Sequence, residues 1–305
     1  VTSDVGSVPR DEQHDFWQLR AGPFRMDTVG AALPTVAISS EWVKTLVRSH
    51  GLTPGGYLGV GVALSATRPT RWSGRTVAEG QAVVAGSACE LDCIVDGGGF
   101  HMVAVGRTGA RSLFLNEPDA PALVERWMSS RGGILRADPT AVRRLATFVG
   151  ALLRSHGCAT PELAAHAADG ALSLLARLLR SATAEPPPRG PGRPSGRRRM
   201  ALAAENVVLT ETRRPHSVRS LCAAIGASER ALEIAFHDHF GVSPARYLRV
   251  VRLHRVHSDL LASGPGATVT EAAYRHGFWH LPRFAAHYRT MFRELPSITL
   301  ARARA

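Results

Sequence analysis

Two stretches decide the fold: residues 217–253, SVRSLCAAIGASERALEIAFHDHFGVSPARYLRVVRL, and residues 269–297, VTEAAYRHGFWHLPRFAAHYRTMFRELPS. In the first, Ser217 is a polar cap ahead of Val218, Leu221, Cys222 and Ile225, the three- and four-residue spacing of a short amphipathic helix. Gly226 supplies the left-handed backbone a tight helix–helix turn needs, and Ser228 caps a second helix, SERALEIAFHDHF, with Leu232, Ala235 and Phe236 on its buried face. This is a helix-turn-helix. After Gly241, Ser243-Pro244 opens a long amphipathic helix carrying Tyr247, Leu248, Val251, Leu253, Val256, Leu260 and Leu261, which stops at Ser263-Gly264-Pro265. The pattern then repeats: Val269 and Thr270 begin a short helix with Ala272 and Ala273, Gly277 makes the turn, and His280 starts HLPRFAAHYRTMF, where Phe284, Tyr288 and Phe292 recur at four-residue spacing. A further helix, from about residue 199 to 211, precedes both units.

The connecting helix, residues 244–261, is about 27 Å long at about 1.5 Å per residue. That span holds two recognition helices roughly one DNA turn apart, about 34 Å, so both can enter successive major grooves on one face of a duplex. One chain then reads two adjacent half-sites of double-stranded DNA.

Composition agrees. Of the formal net charge of +12, residues 1–180 contribute +2 and residues 181–305 contribute +10, the uneven footprint of nucleic-acid binding, although an acidic membrane surface attracts the same sign. Lys44 is the only lysine, a bias read as high-GC coding. With 45% hydrophobic and 20% charged residues, the chain reads as an ordinary globular protein of two domains. No apolar run approaches a bilayer span, residues 1–15 lack the apolar core of a secretory signal, and four cysteines without a CxxC pair do not make a disulfide framework. A cytoplasmic protein with no membrane partner is expected.

The fold class expected is α+β. Residues 24–106 carry short Val-, Gly- and Thr-rich runs at 36–39, 57–64, 81–85, 91–95 and 101–105, the spacing of an antiparallel sandwich or barrel, with Gly97-Gly98-Gly99 as a hairpin turn. Helical periodicity follows: Ala141, Leu145, Phe148, Val149 and Leu152 recur after the Asp138-Pro139 cap, and a second apolar helix runs over about 161–179. This helix pair is a candidate dimerisation surface. Residues 184–199, AEPPPRGPGRPSGRRR, are too polar and too rich in Pro and Gly to pack. They divide the chain into a first domain (1–183), which the family resemblance given below implies to be the effector-binding and dimerisation domain, a linker (184–199) and a DNA-binding domain (200–305). The Gly192-Arg193-Pro194 core of the linker reads as a solvated tether or, less commonly, a minor-groove arm.

The two quoted stretches, with Gly277-Phe278, Phe284, Tyr288-Arg289, Phe292 and Leu295-Pro296-Ser297, resemble the C-terminal DNA-binding domain of the AraC/XylS family of bacterial regulators over about 203–300. The resemblance implies base and phosphate contacts from Arg230, Glu233, Ile234 and His237 in the first unit and from His280, Leu281, Arg283 and Arg289 in the second. Arg230 has the fork for guanine O6/N7, Glu233 can accept from cytosine N4, and Leu281 with Pro282 suits a thymine methyl. Set against this, an exposed arginine on a helix is commonly a solvated charge. Arg246, Arg249, Arg252 and Arg255 read equally as phosphate contacts or a solvated face. Two departures stand out: family members often carry Gln and Arg where this chain has Glu233 and Ile234, and Arg293 occupies a usual glycine position.

The resemblance further implies a cupin-like N-terminal barrel that binds a small effector of unknown identity or mediates dimerisation, and contact with RNA polymerase; an activator is the expectation, although the sequence leaves activator or repressor open, and the helix pair makes a homodimer the default among oligomeric states it also leaves open. No catalytic residue, metal site or cofactor is expected. His50 and His101 are isolated, and no GxSxG, P-loop or paired-carboxylate pattern occurs. Cys89 and Cys93 read as small core residues or, less often, a thiol sensor; Trp42, Trp72, Phe100 and Tyr57 read as core or as the lining of an effector pocket. Two other functions fit parts of the sequence: a cupin-type enzyme with a DNA-binding appendage, and a non-specific architectural DNA-binding protein.

Overall fold

The computed structural model describes residues 14–20, 26–115, 117–155, 160–185, 196–211, 215–262, 264 and 266–304. Gly192-Arg193-Pro194, Cys158, Ser263 and Pro265 lie outside them. The chain divides into two compact units, the first of Val1–Phe16, Arg25–Lys44 and Arg48–Pro187, the second of Trp17–Phe24, Thr45–Val47 and Pro188–Ala305.

The strands are β1 (His14–Gln18), β2 (Met26–Ala32), β3 (Val36–Leu52), β4 (Tyr57–Ala63), β5 (Arg68–Trp72), β6 (Arg75–Val77), β7 (Ala82–Ala85), β8 (Glu90–Gly106), β9 (Gly133–Arg136) and β10 (Thr183–Glu185). They form one sheet in the order β1-β3-β8-β4-β7-β9-β10, with β2 on β3 and the β5–β6 hairpin joined to β8 through β5. Four helices accompany them: α1 (Arg107–Ser112), α2 (Ala120–Met128), α3 (Pro139–Arg154) and α4 (Pro161–Ser181). Alternation along the strands sends Val60 and Val62 of β4, Val84 of β7 and Val103 and Val105 of β8 to one face. There they join Phe114, Trp127, Leu145, Val149, Leu175 and Leu179 of the helical segments in one core.

The helix pair forms where the sequence places it, because its caps are good. The Asp138 side chain accepts the Thr140 N–H at 2.9 Å and Thr160 accepts the Leu163 N–H at 3.3 Å, each ahead of a proline in the first turn. Its apolar stripe, including Leu145, Val149, Leu172, Leu175, Leu178 and Leu179, is buried in this unit's own core. This stripe is therefore used in folding, and a dimer surface on the helix pair would have to use its other faces.

Three expectations need correction. Gly97-Gly98-Gly99 is no hairpin turn: β8 continues through it, with Gly97 at φ +60°, so the runs 91–95 and 101–105 are one strand of 17 residues. The triplet marks the point where β8 changes partner, from β5 (Cys93 opposite Trp72) to β4 (Phe100 opposite Ala63). Gly99 lies so close to the Glu41 carbonyl that any Cβ would overlap it, which is a close-approach role rather than a turning one. The strands are also not uniformly short, since β3 too has 17 residues. Lastly, residues 196–199, assigned to the linker, are already helical.

Trp72 and Phe100 pack edge to face at 5.7 Å in the interior, near buried Cys93. A separate cleft of about 910 Å³ is lined by Arg75, Glu79, Gln81, Leu135, Arg136 and Val142, among others. None of Trp42, Trp72, Phe100 and Tyr57 lines it.

The second unit holds α5 (Gly196–Thr210), α6 (Val218–Ile225), α7 (Glu229–Phe240), α8 (Pro244–Leu261), α9 (Val269–Arg275), α10 (Leu281–Phe292) and α11 (Pro296–Ala303). No helix among the described residues is long and apolar enough to cross a membrane.

Candidate nucleic-acid interface

Each helix-turn-helix is framed by local hydrogen bonds that its sequence specifies. In the first, Ser217 and Ser220 cap reciprocally: the Ser217 hydroxyl accepts the Ser220 N–H at 3.0 Å and the Ser220 hydroxyl accepts the Ser217 N–H at 2.9 Å. Gly226 closes α6 at φ +64°, and the Ser228 hydroxyl accepts the Ala231 N–H at the start of α7. In the second, Thr268 and Glu271 make the same box at 3.1 and 3.2 Å, Gly277 turns at φ +76°, and His280 caps α10 through Nδ1, which accepts the Arg283 N–H at 3.1 Å.

The two recognition helices, α7 and α10, stand on separate aromatic cores. Phe236 and Phe240 of α7 pack on Tyr247 of α8 with ring centroids 5.4 and 4.7 Å away, and the buried Tyr247 hydroxyl donates to the Glu205 carboxylate of α5. Below α10, Phe278, Phe284, Tyr288 and Phe292 form a continuous series with neighbouring centroids 4.6–5.6 Å apart, and the His257 ring stacks on Phe292 at 4.3 Å. A hydrogen-bonded chain continues from there. The Tyr288 hydroxyl donates to Thr299 Oγ1 at 2.8 Å and Thr299 donates to Glu294 Oε1 at 2.6 Å, while Glu294 receives both guanidinium nitrogens of Arg302. Because that hydroxyl's proton points to Thr299, His257 Nδ1, 2.7 Å away, must donate to it. Burial pushes the Tyr288 phenol up to about 12.

With the helices so fixed, Arg230, Glu233, Ile234 and His237 all face outward on α7. Glu233 Oε1 and His237 Nε2 are 3.2 Å apart, one turn from each other, so the carboxylate that departs from the family pattern has an imidazole partner on its own helix. On α10, His280, Pro282, Arg283 and Arg289 are exposed and Leu281 is half-buried. Burial first, then Arg249 and Arg283, holds the His287 imidazole below its ordinary range, a sign of the positive field around this helix.

The arginines of α8 take roles that sequence reading did not foresee. Arg255 donates to the Val208 carbonyl of α5 at 2.7 Å. Arg252 donates to the Leu248 carbonyl and lies 5.5 Å from the Phe278 ring centre. Both brace the unit from within, so neither is a purely solvated charge. Sequence reading also passed over Trp279, 75% exposed, and Tyr274, 41% exposed. Tyr274 lies off the buried stripe of α9, and Trp279 lies in the turn between α9 and α10. Tryptophan directly after the Gly277-Phe278 turn was the available signal.

A helix-turn-helix domain family matches residues 221–302, which span α6 to α11. The XylDLEGF operon transcriptional activator 2 of Pseudomonas putida is 37% identical over 113 residues, which are 36% of this chain and 68% of that protein. The chain belongs to the AraC/XylS family. The probable thc operon regulatory protein of Rhodococcus erythropolis is 32% identical over 114 residues, 37% of this chain and 32% of that protein. A probable AraC family transcriptional regulator from Rhodopseudomonas palustris, known as a crystal structure, is 37% identical; the match covers 35% of this chain and 99% of that one, with a TM-score of 0.33. The chain thus spans about a third of the length of most curated AraC/XylS relatives it matches. The family is one of transcription regulators, and the matched part holds both helix-turn-helix units.

Proposed function

We propose that this chain is a one-component transcription regulator that binds double-stranded DNA at two adjacent half-sites, placing α7 and α10 in successive major grooves. One observation carries the reading: two capped, separately cored recognition helices present Arg230, Glu233, Ile234 and His237, and His280, Leu281, Arg283 and Arg289, from the two ends of one 18-residue helix, α8. In this reading Arg230 and Arg283 fork onto guanine, Glu233 accepts from cytosine, His237, His280 and Arg289 supply further donors to base edges or phosphates, and Ile234 and Leu281 meet apolar groove features. The first unit takes a small effector, for which the cleft between Arg75, Arg136 and Leu135 has room, and supports a homodimer. Bound at a promoter, the protein engages RNA polymerase and acts in the cytoplasm as an activator rather than as an enzyme.

Genome-wide footprinting of the purified chain at physiological salt tests this, with Arg230→Ala and Arg283→Ala in parallel. A motif of two half-sites about one turn apart is expected, with each variant losing about 1–3 kcal/mol at one half-site and affinity falling steeply with salt. Diffuse binding indifferent to both substitutions would reject base reading by these helices.

A further inference from the structure

We propose that Trp279, braced by Tyr274, is a DNA-contacting residue of the second helix-turn-helix, whose ring packs on thymine 5-methyl groups at the edge of the second half-site. The inference rests on the DNA-binding reading above and adds to it a residue and a base preference.

Among the described residues Trp279 is the most exposed large hydrophobic side chain, at 75%. An indole left in water contributes little to folding, and together with the exposed Tyr274 it forms an aromatic pair open to a partner. It has a neighbour: the Tyr274 ring stacks on it with centroids 5.6 Å apart and planes 25° from parallel. A ring supported on one face by a neighbour has less conformational freedom to lose when its other face meets a ligand.

Its position says which ligand. Trp279 directly precedes His280, the N-cap of α10, and the N-terminal turn of a recognition helix is the part that meets base edges. In this helix that turn opens on the apolar pair Leu281-Pro282, set between the polar His280 and Arg283. Trp279, Leu281 and Pro282 therefore present apolar surface where the groove is entered, and the thymine methyl is the apolar feature that the major groove offers. The surroundings favour a polyanion over a protein partner. Arg275 and His276 are paired with Asp259 of α8, but α10 itself carries Arg283, His287 and Arg289 and no carboxylate. The first unit differs, with Glu229, Glu233 and Asp238 on its recognition helix.

The test uses the full chain and the duplex it selects from a random-sequence library, with deoxyuridine replacing each thymine of the second half-site in turn. Loss of one methyl contact should weaken wild-type binding about four-fold at one or two positions. Trp279→Ala should bind the thymine duplex about ten-fold more weakly and no longer distinguish thymine from deoxyuridine, whereas Trp279→Phe should keep part of that distinction. Uridine-insensitive binding by the wild type, or unaltered discrimination in Trp279→Ala, would overturn the proposal; if Arg283→Ala still loses affinity in the same assay, the DNA-binding reading survives. Unchanged DNA binding combined with lost activation in a reconstituted transcription reaction would assign the ring to a protein partner instead. Failure of the wild type to select any sequence would defeat both readings.

Discussion

His280 Nδ1 accepts the backbone N–H of Arg283 at 3.1 Å, so the side chain that closes the first turn of α10 also fixes its own tautomer. With Nδ1 accepting, the proton of the neutral ring sits on Nε2, an outward donor on an exposed residue. His280→Ala should cost about 1 kcal/mol of stability and weaken binding at the second half-site. His280→Ser should recover the stability, seen in urea denaturation, but not the affinity. A serine variant that binds like the wild type would reduce His280 to a cap.

Arg293 ends α10 at φ +63° while its N–H bonds to the Arg289 carbonyl at 2.8 Å. An L-residue is disfavoured there by about 1–2 kcal/mol, and glycine returns part of this in the greater freedom of its unfolded chain. Arg293→Gly should raise stability by roughly 0.5–1 kcal/mol in thermal denaturation. A lower melting temperature would mean that the arginine side chain stabilises the turn by more than its backbone costs.

The chain from His257 through Tyr288 and Thr299 to Glu294 joins α8, α10 and α11. Thr299 is fully buried, so Thr299→Val leaves the Tyr288 hydroxyl without its acceptor at a cost of about 1–3 kcal/mol. Loss of footprint protection should concentrate at the second half-site, because α7 rests on a different core. Equal loss at both half-sites would argue that the two units unfold together.

Burial, with His257 second, pushes the His254 imidazole down to about 4. The unfolded chain takes up this proton near pH 6.5 and the folded one does not, so the contribution is intact above about 6.5 and is lost as pH falls toward 4. The second unit should lose on the order of 3 kcal/mol across that window, and His254→Phe should flatten the dependence in urea titrations at successive pH values. An unchanged slope would locate acid sensitivity elsewhere.

The helical half was legible almost to the residue because its signals are local. Ser217, Gly226, Ser228, Ser243-Pro244 and Gly277 each act within one turn of chain, and α8 runs from Pro244 to Leu261 as the pattern requires. The sheet was less legible because its determinants are distant in sequence. Gly99 is a glycine because of Glu41, more than fifty residues away, and no window around 97–99 shows that. The candidate contacts on α7 and α10 followed from which positions the core did not claim. That same logic hid Trp279: a large aromatic residue is normally assigned to the core, and only the fold shows it outside.

The inequality of the two recognition helices has a consequence for geometry on the chromosome. A symmetric dimer of identical readers sits on a palindrome and has no front or back, but this chain sets a carboxylate-bearing α7 and a carboxylate-free α10 in fixed order along one polypeptide. Its recognition site is then directional, like an arrow. Inverting that site beside a transcription start would present the opposite end of the regulator to whatever is assembled there, so orientation as well as affinity decides whether a given copy of the site is productive.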